Sequence, residues 1–166
     1  MDLKQGNKIE NAFNNWGLEF LIEFDISLKR FTTTKDWTNI LRLTNSTKDK
    51  FEYGERMPTV HYDNDKQELK ILVIDPSSQV HRFLYEMKSI DKTYHVKIES
   101  RKSLTGPRTK FCGTVDNITK CVDLDISEPI DNVNLFLSDT FKRSFGVQGS
   151  IFNVLIVNLH CEEGKF

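Results

Sequence analysis

A two-residue alternation between Leu18 and Leu28 constrains the fold more than any other feature of this sequence. Apolar side chains occupy every even position, namely Leu18, Phe20, Ile22, Phe24, Ile26 and Leu28. The odd positions from Glu19 to Lys29 are polar, with Leu21 as the exception. Because successive side chains of a β-strand point to opposite faces of the sheet, this period predicts a strand with one buried face.

Shorter runs of the same kind fill the rest of the chain. They span residues 37–43, 59–62, 69–74, 80–85, 94–100, 110–115, 120–126, 133–137 and 151–159. Turn-forming residues separate them, and the strong helix former alanine occurs only at Ala12. The sequence therefore predicts an all-β fold, a two-sheet antiparallel sandwich. One domain is expected over residues 1–166, with its core between residues 16 and 159.

Charge and hydropathy argue against two classes of partner. The net charge is −1 and the pI is near 6.4, which gives no electrostatic basis for binding nucleic acid or an anionic membrane. No apolar run approaches the roughly 20 residues that a membrane-spanning helix needs. The first residues also lack the apolar stretch of a signal peptide. We therefore expect a cytoplasmic protein, or a secreted one whose signal has been removed.

Cysteines and glycosylation motifs favour the secreted alternative. Cys112 and Cys121 are close enough in sequence to be joined across a hairpin, which leaves Cys161 free. No Cys-x-x-Cys pair occurs, so a structural zinc site is not expected. Two N-glycosylation motifs begin at Asn45 and Asn117, each among polar residues that suit a loop. We expect an extracellular glycoprotein with a Cys112–Cys121 disulfide.

Three segments resemble a known architecture. They are Asp-Trp-Thr-Asn-Ile-Leu at 36–41, Tyr-Gly-Glu-Arg-Met-Pro-Thr-Val at 53–60, and Leu-Ser-Asp at 137–139 leading into Gly-Ser-Ile-Phe-Asn-Val at 149–154. In this order the chain resembles the concanavalin-like, laminin-G-like jelly-roll modules of invertebrate extracellular proteins. The resemblance covers residues 16–159. It departs from the pattern at Phe51 and Tyr53, where such modules often carry a cysteine pair.

The preferred function is that of a non-catalytic, lectin-like recognition module. It would bind a glycan or an extracellular protein through loops at one rim or through a concave sheet. The candidate ligand-binding residues are Trp37, Tyr53, Arg56, Tyr62 and Asp139. A purely structural or oligomerising domain, intracellular and with reduced cysteines, is an alternative. The oligomeric state is not predicted.

A glycan-cleaving enzyme is the rival hypothesis. Asp123 and Asp125 are alternate residues of one predicted strand and share a face, and Glu128 follows. Some concanavalin-like glucanases resemble this, with Glu-x-Asp-x-x-Glu lining their cleft. Here the first position is Asp, one methylene shorter, and small misplacements of a reacting group are costly. We therefore predict no catalytic residue.

Other polar segments allow weaker expectations. The oxygen-rich loops at 63–65 and 138–139 are candidates for binding calcium, although Asp and Asn are also common turn formers. Laminin-G-like modules use loop carboxylates in this way. The basic segment 101–110 would suit a sulfated glycan or an acidic partner, or would simply protect a hairpin edge. The four histidines occur singly, without metal-ligand spacing, and are expected to be half-exposed strand residues.

Overall fold

Eleven β-strands make up the regular structure of the described residues, which contain no helix. The computed structural model describes residues 7–30, 37–45, 52–63, 65–87, 89, 92–103, 106, 108–126, 128–137 and 148–159. The strands are β1 (Asn7–Trp16), β2 (Phe20–Arg30), β3 (Trp37–Thr44), β4 (Thr59–Asp63), β5 (Glu68–Ile74), β6 (Val80–Glu86), β7 (Thr93–Lys102), β8 (Thr109–Val115), β9 (Ile118–Leu124), β10 (Ile130–Leu137) and β11 (Gln148–Asn158). Within the described ranges, no helix is long and apolar enough to cross a membrane.

The strands form two sheets. Six strands pair in the order β1-β10-β3-β4-β5-β6, and five pair in the order β11-β2-β7-β8-β9. Every pairing is antiparallel. The all-β, two-sheet antiparallel sandwich predicted from the sequence is therefore confirmed.

The alternation that predicts β2 also explains its position. Ile22, Phe24 and Ile26 are fully buried. The side chains between them point away from the core, and β2 lies between β11 and β7 in the five-stranded sheet. Burying each of these side chains contributes about 1.5–3 kcal/mol to the stability of the folded protein.

A series of aromatic rings crosses the core between the two sheets. Phe13 and Trp16 of β1 have ring centroids 4.7 Å apart, and Trp16 lies 4.8 Å from Phe20 of β2. The series continues 6.2 Å to Phe111 of β8 and then 5.8 Å to Phe83 of β6. The series starts on β1 of the six-stranded sheet, passes through β2 and β8 of the five-stranded sheet, and returns to the six-stranded sheet at β6. It therefore connects the two edges of the six-stranded sheet through the opposite sheet.

One strand was not predicted. Strand β1 pairs with β10, and its register shifts between Ile9 and Phe13. The irregularity breaks the two-residue period, so the pattern of apolar residues along β1 does not indicate a strand. Strand β9 ends at Leu124, two residues before the predicted end, so Asp125 and Ile126 lie beyond the strand.

Candidate functional site

A polar cleft lies at the edge of the sandwich where β6 of one sheet approaches β9 of the other. Its volume is about 530 Å³. The lining residues are Asp75, Pro76, Ser77, Gln79, His81, Arg108, Asp123 and Asp125. We call this the edge cleft. It draws one wall from the β5–β6 turn and the other from the ends of β8 and β9, so each sheet contributes a wall.

The hydrogen bonds of Asp75 connect the residues of the first wall. Its Oδ1 accepts hydrogen bonds from Ser77 Oγ at 2.6 Å and from the Gln79 backbone N–H at 2.9 Å. Its Oδ2 lies 3.0 Å from His81 Nε2. Burial alone would raise the pKa of Asp75, but the hydrogen bonds from His81, Ser77 and Gln79 outweigh burial and lower it. This wall is therefore rigid, with an ionised carboxylate that orients the His81 ring.

The second wall carries side chains that are available to a ligand. Arg108, Asp123 and Asp125 are exposed. Within the described part of the chain they make no side-chain hydrogen bond or ion pair. One guanidinium and two carboxylates therefore meet solvent in the same cleft. Together they offer both donors and acceptors to a polar ligand.

A second, smaller cleft of about 390 Å³ lies beside Tyr53. Its lining residues are Asn45, Tyr53, Gly54, Pro129, Ile130, Asp131 and Asn132, and we call it the tyrosine cleft. The Tyr53 hydroxyl donates to the backbone carbonyl of Glu128 at 3.4 Å. Burial and the nearby Glu128 charge raise the pKa of Tyr53 to about 12. The phenol is therefore neutral and can donate at physiological pH.

The predicted ligand-binding residues do not come together, and two of them need correction. Tyr62 is fully buried among the core residues, so it cannot contact a ligand. Arg56 is 4% exposed, and its Nη1 lies 3.5 Å from His61 Nε2. Tyr53 does line a cleft. The Trp37 side chain and the whole of Asp139 lie outside the described residues.

The predicted carboxylate trio is also divided. Asp123 and Asp125 line the edge cleft, whereas Glu128 does not. Glu128 presents its backbone carbonyl to Tyr53 at the other cleft. The sequence gives no signal for the residues that do join Asp123 and Asp125, because Asp75, His81 and Arg108 come from other strands and from both sheets. Only the packing of one sheet on the other, which brings the β6 and β9 edges close, places these residues in one cleft.

The predicted disulfide is present in the structure. Cys112 of β8 and Cys121 of β9 lie directly opposite each other, with their Cα atoms 4.1 Å apart. Cys112 is 7% exposed, whereas Cys121 is open to solvent. The bridge therefore joins the two strands at the edge of the five-stranded sheet. Cys161 lies outside the described residues, so its free thiol stays a prediction.

In the candidate calcium loop at 63–65, the Asp63 carboxylate is already paired with a lysine. Asp63 Oδ2 lies 2.5 Å from Lys70 Nζ, and Asp63 Oδ1 accepts from the backbone N–H groups of Asp65 and Lys66. Residues 64, 138 and 139 lie outside the described ranges. In the part of the chain that the structure describes, no group of three or more His, Cys, Asp or Glu side chains is arranged to hold a metal ion. Calcium binding stays a prediction.

The two predicted glycosylation sites differ in their surroundings. Asn45 is exposed just after β3 and forms part of the wall of the tyrosine cleft. Asn117 is exposed in the two-residue turn between β8 and β9, beside Asp116, whose φ is 51°. This left-handed conformation suits the tight hairpin turn. The structure thus leaves both acceptor side chains open to solvent.

Comparison with solved structures finds proteins that share this fold. No family model matches the chain, and a search of curated proteins found no match. The botulinum neurotoxin serotype D binding domain superposes with a TM-score of 0.62 and 11% identity, over 93% of this chain and 37% of that one. The serotype G binding domain gives 0.59 and 10%, over 95% and 38%.

A third similar structure is the binding domain of botulinum neurotoxin DC in complex with rat synaptotagmin II. Its TM-score is 0.57 at 10% identity, over 83% of this chain and 32% of that one. The same binding domain is also known in complex with SialylT. This chain thus spans about a third of each binding domain. At such low identity, the similarity shows a shared β-sandwich fold.

Proposed function

We propose that this protein is a non-catalytic extracellular binding module that recognises a glycan in the edge cleft. The observation that carries the proposal is the composition of that cleft. Three of its side chains, Arg108, Asp123 and Asp125, make no hydrogen bond or ion pair with the described residues. The opposite wall of the cleft carries the rigid Asp75–His81 pair. Such groups can exchange their hydrogen bonds to water for hydrogen bonds to a polar ligand without first breaking a contact within the protein.

The chemistry of the edge cleft suits a ligand with many hydroxyl groups. Carboxylates accept hydrogen bonds from hydroxyls, a guanidinium donates to their oxygens, and the Gln79 amide does both. The cleft volume of about 530 Å³ lies within the range of about 300–1,000 Å³ that is common for ligand sites. The neurotoxin binding domains that share the fold include one known in complex with SialylT, which is compatible with a glycan ligand.

The positions of the carboxylates favour binding over hydrolysis. Glycoside hydrolysis needs a proton donor at the glycosidic oxygen and a second carboxylate that acts from the other side of the sugar. Asp123 and Asp125 belong to one wall, and Glu128 is not in the cleft. The carboxylate of the opposite wall, Asp75, is already engaged by Ser77, Gln79 and His81, and its lowered pKa keeps it ionised, so it is not a proton donor. We therefore assign these carboxylates to ligand recognition.

Two features support an extracellular location. The Cys112–Cys121 bridge is of a kind that persists in oxidising compartments and is rare in the cytosol. The exposed Asn117 stands at a hairpin tip, where an N-glycan can be attached without disturbing the sheet. We also retain the concanavalin-like, laminin-G-like relationship as a proposal, because a sandwich of six and five antiparallel strands is compatible with it.

A glycan array with matched variants tests the proposal. Wild-type protein should be retained by a subset of glycans, and Arg108→Ala or Asp125→Ala should weaken that retention at least tenfold. Lys97→Ala, on the outward face of β7, is the control and should bind like the wild type. Retention that survives both cleft variants would contradict the site. Release of reducing ends by the wild type, lost in Asp123→Asn with Asp125→Asn, would make the protein an enzyme.

A protein partner is the second candidate, and one observation favours it. Strand β11 is the edge of the five-stranded sheet, and Val154, Leu155 and Leu159 on or just after it are 40–56% exposed. Exposed apolar side chains that cluster at a sheet edge often mark protein contacts. Leu155→Asp should abolish retention on an array of extracellular proteins under this alternative. Under the glycan proposal, the same substitution leaves glycan binding unchanged.

A further inference from the structure

The tyrosine cleft is lined by a residue that can itself carry a sugar. Asn45 begins an Asn-Ser-Thr motif, and its exposed side chain forms part of the cleft wall. Its backbone N–H donates to the Gly54 carbonyl at 3.0 Å, which fixes the acceptor residue at the cleft. A glycan attached to Asn45 Nδ2 would therefore start inside the cleft, without the need for a flexible linker.

Gly54 keeps room for the Asn45 carboxamide. Its φ is +86°, a conformation that side chains other than glycine rarely adopt. A Cβ at this position would lie 2.8 Å from Asn45 Oδ1 and 2.9 Å from Nδ2. Any larger residue at position 54 would therefore push the acceptor amide out of its place.

The rest of the cleft matches the two kinds of surface on a pyranose ring. Tyr53, Pro129 and Ile130 supply apolar area, and Asp131 and Asn132 supply polar groups. A sugar presents C–H groups on one face and hydroxyls or an acetamido group at its rim. The face of an aromatic ring carries partial negative charge and attracts the polarised C–H groups of a sugar. Tyr53 is held in place through its hydroxyl, which donates to the Glu128 carbonyl.

We propose that Asn45 carries an N-linked glycan whose first N-acetylglucosamine packs in the tyrosine cleft against Tyr53. The co-reactant is a lipid diphosphate-linked oligosaccharide of the secretory pathway. A bond forms between Asn45 Nδ2 and the sugar C1, the bond from C1 to the diphosphate breaks, and the amide proton leaves to the transferase. The proposal rests on the extracellular location proposed above, but not on the edge cleft.

Asn117 provides an internal contrast. It stands at the tip of the β8–β9 hairpin and lines neither the edge cleft nor the tyrosine cleft. A sugar on Asn117 would extend into solvent with no aromatic surface provided by either cleft. The two sites should therefore be equally open to glycosylation but should differ in what the attached sugar does to stability.

The experiment compares single-site glycoforms made in a secretory eukaryotic host that adds high-mannose glycans. Peptide mass spectrometry first measures occupancy at Asn45 and Asn117. Asn117→Gln and Asn45→Gln then leave one glycan each, which an endoglycosidase trims to a single N-acetylglucosamine. The sugar on Asn45 should raise the melting temperature by about 2–4 °C above that of the unglycosylated double variant. The sugar on Asn117 should leave it unchanged.

Tyr53 provides the decisive variant. Tyr53→Ala should remove the stabilisation by the Asn45 sugar, whatever it does to the stability of the unglycosylated protein. Tyr53→Phe, which keeps the ring, should retain it. In addition, the C–H protons of the Asn45 sugar should show upfield ring-current shifts in NMR spectra that are absent for the Asn117 sugar. An unoccupied Asn45, or a stabilisation that persists in Tyr53→Ala without ring-current shifts, would overturn the proposal. Either result leaves the glycan-array test of the edge cleft unaffected.

Discussion

The outward faces of the two sheets carry similar charged residues in very different environments. On the five-stranded sheet, Glu99 of β7 is paired with Lys97 and Arg101, whose side chains are 34% and 71% exposed. On the six-stranded sheet, Lys70 of β5 is paired with Asp63 of β4, and their side chains are 4% and 5% exposed. Strand β7 alternates from Tyr94 to Ser100, whereas β5 has four consecutive apolar residues at 71–74, but the charged residues themselves do not tell which outward face meets water.

The unequal exposure of these ion pairs indicates where charge contributes to stability in this fold. An exposed ion pair is screened by water and typically contributes about 0–1 kcal/mol. A buried pair has a large desolvation cost, so its net contribution is small while it is intact, but the loss of one partner is severe. We therefore expect conservative substitutions on the two outward faces to have very unequal effects.

The largest effect is expected for Lys70→Met. The substitution keeps the apolar stem but leaves the buried Asp63 carboxylate without its ammonium partner. The pKa of Asp63 is lowered because hydrogen bonds and the charge of Lys70 outweigh the burial that would raise it. Chemical denaturation should show a loss of about 3–5 kcal/mol in the free energy of unfolding.

The double variant Asp63→Asn with Lys70→Met is the control for this prediction. It removes both charges, and the lone buried carboxylate no longer exists. Replacing a buried ion pair by uncharged groups is often close to neutral. The double variant should therefore recover most of the lost stability. A double variant that is less stable than Lys70→Met would contradict the view that the lone carboxylate causes the loss.

The next effect concerns the disulfide on the outward face of the five-stranded sheet. Cys112→Ser with Cys121→Ser removes a cross-link between residues separated by nine positions. The chain-entropy model assigns such a short loop about 2–3 kcal/mol. Thermal unfolding should show this loss. Thr114→Ala with Thr119→Ala, which removes the 2.9 Å hydroxyl contact on the same hairpin, should cost far less. If the two double variants lost equal stability, the disulfide itself would not be the source of the loss.

A smaller effect is expected from His61 on the six-stranded sheet, as a change in the free energy of unfolding between pH 6 and pH 5. Burial, followed by the charges of Arg56, Arg42 and Lys70, lowers its pKa from 6.5 to about 3. Between these pH values the unfolded chain binds a proton at His61 and the folded protein does not. The stability is therefore fully present above pH 6.5 and falls as the pH drops toward 3. From pH 6 to pH 5 the loss should be about 1 kcal/mol.

This pH step separates His61 from the carboxylates. The carboxyl groups with lowered pKa, at Asp25, Asp63, Asp75 and Asp116, have an ordinary value of 3.8 and affect stability mainly at lower pH. Chemical denaturation at pH 6 and at pH 5 should show this loss of stability in the wild type and in His81→Gln. The loss should be smaller in His61→Gln. A step of unchanged size in His61→Gln would place its origin elsewhere.

The same comparison explains what the sequence could predict. The period of two identifies β2 and the fold class because Ile22, Phe24 and Ile26 do point inward. It fails for Tyr62 and His61, which are adjacent on β4 and are both buried. Burial on both faces depends on what covers the outward face of the sheet, and a local pattern does not record that. The edge cleft could not be predicted for a related reason, because Asp75 and Asp125 line one cleft only when the two sheets are packed together.

The smallest effect is expected for Glu99→Gln on the outward face of the five-stranded sheet. The substitution removes the carboxylate that accepts from Lys97 at 3.1 Å and from Arg101 at 2.8 Å. Because both cations remain hydrated, the loss should stay below about 1 kcal/mol. At about 1 M salt the Debye length falls to about 3 Å, so the loss should shrink further. The loss in Lys70→Met, by contrast, should persist at the same salt concentration, since buried pairs are screened much less. Denaturation of both variants at low and high salt measures the difference. A Glu99→Gln loss that is large and insensitive to salt would mean that the two outward faces do not differ as the exposure of their side chains indicates.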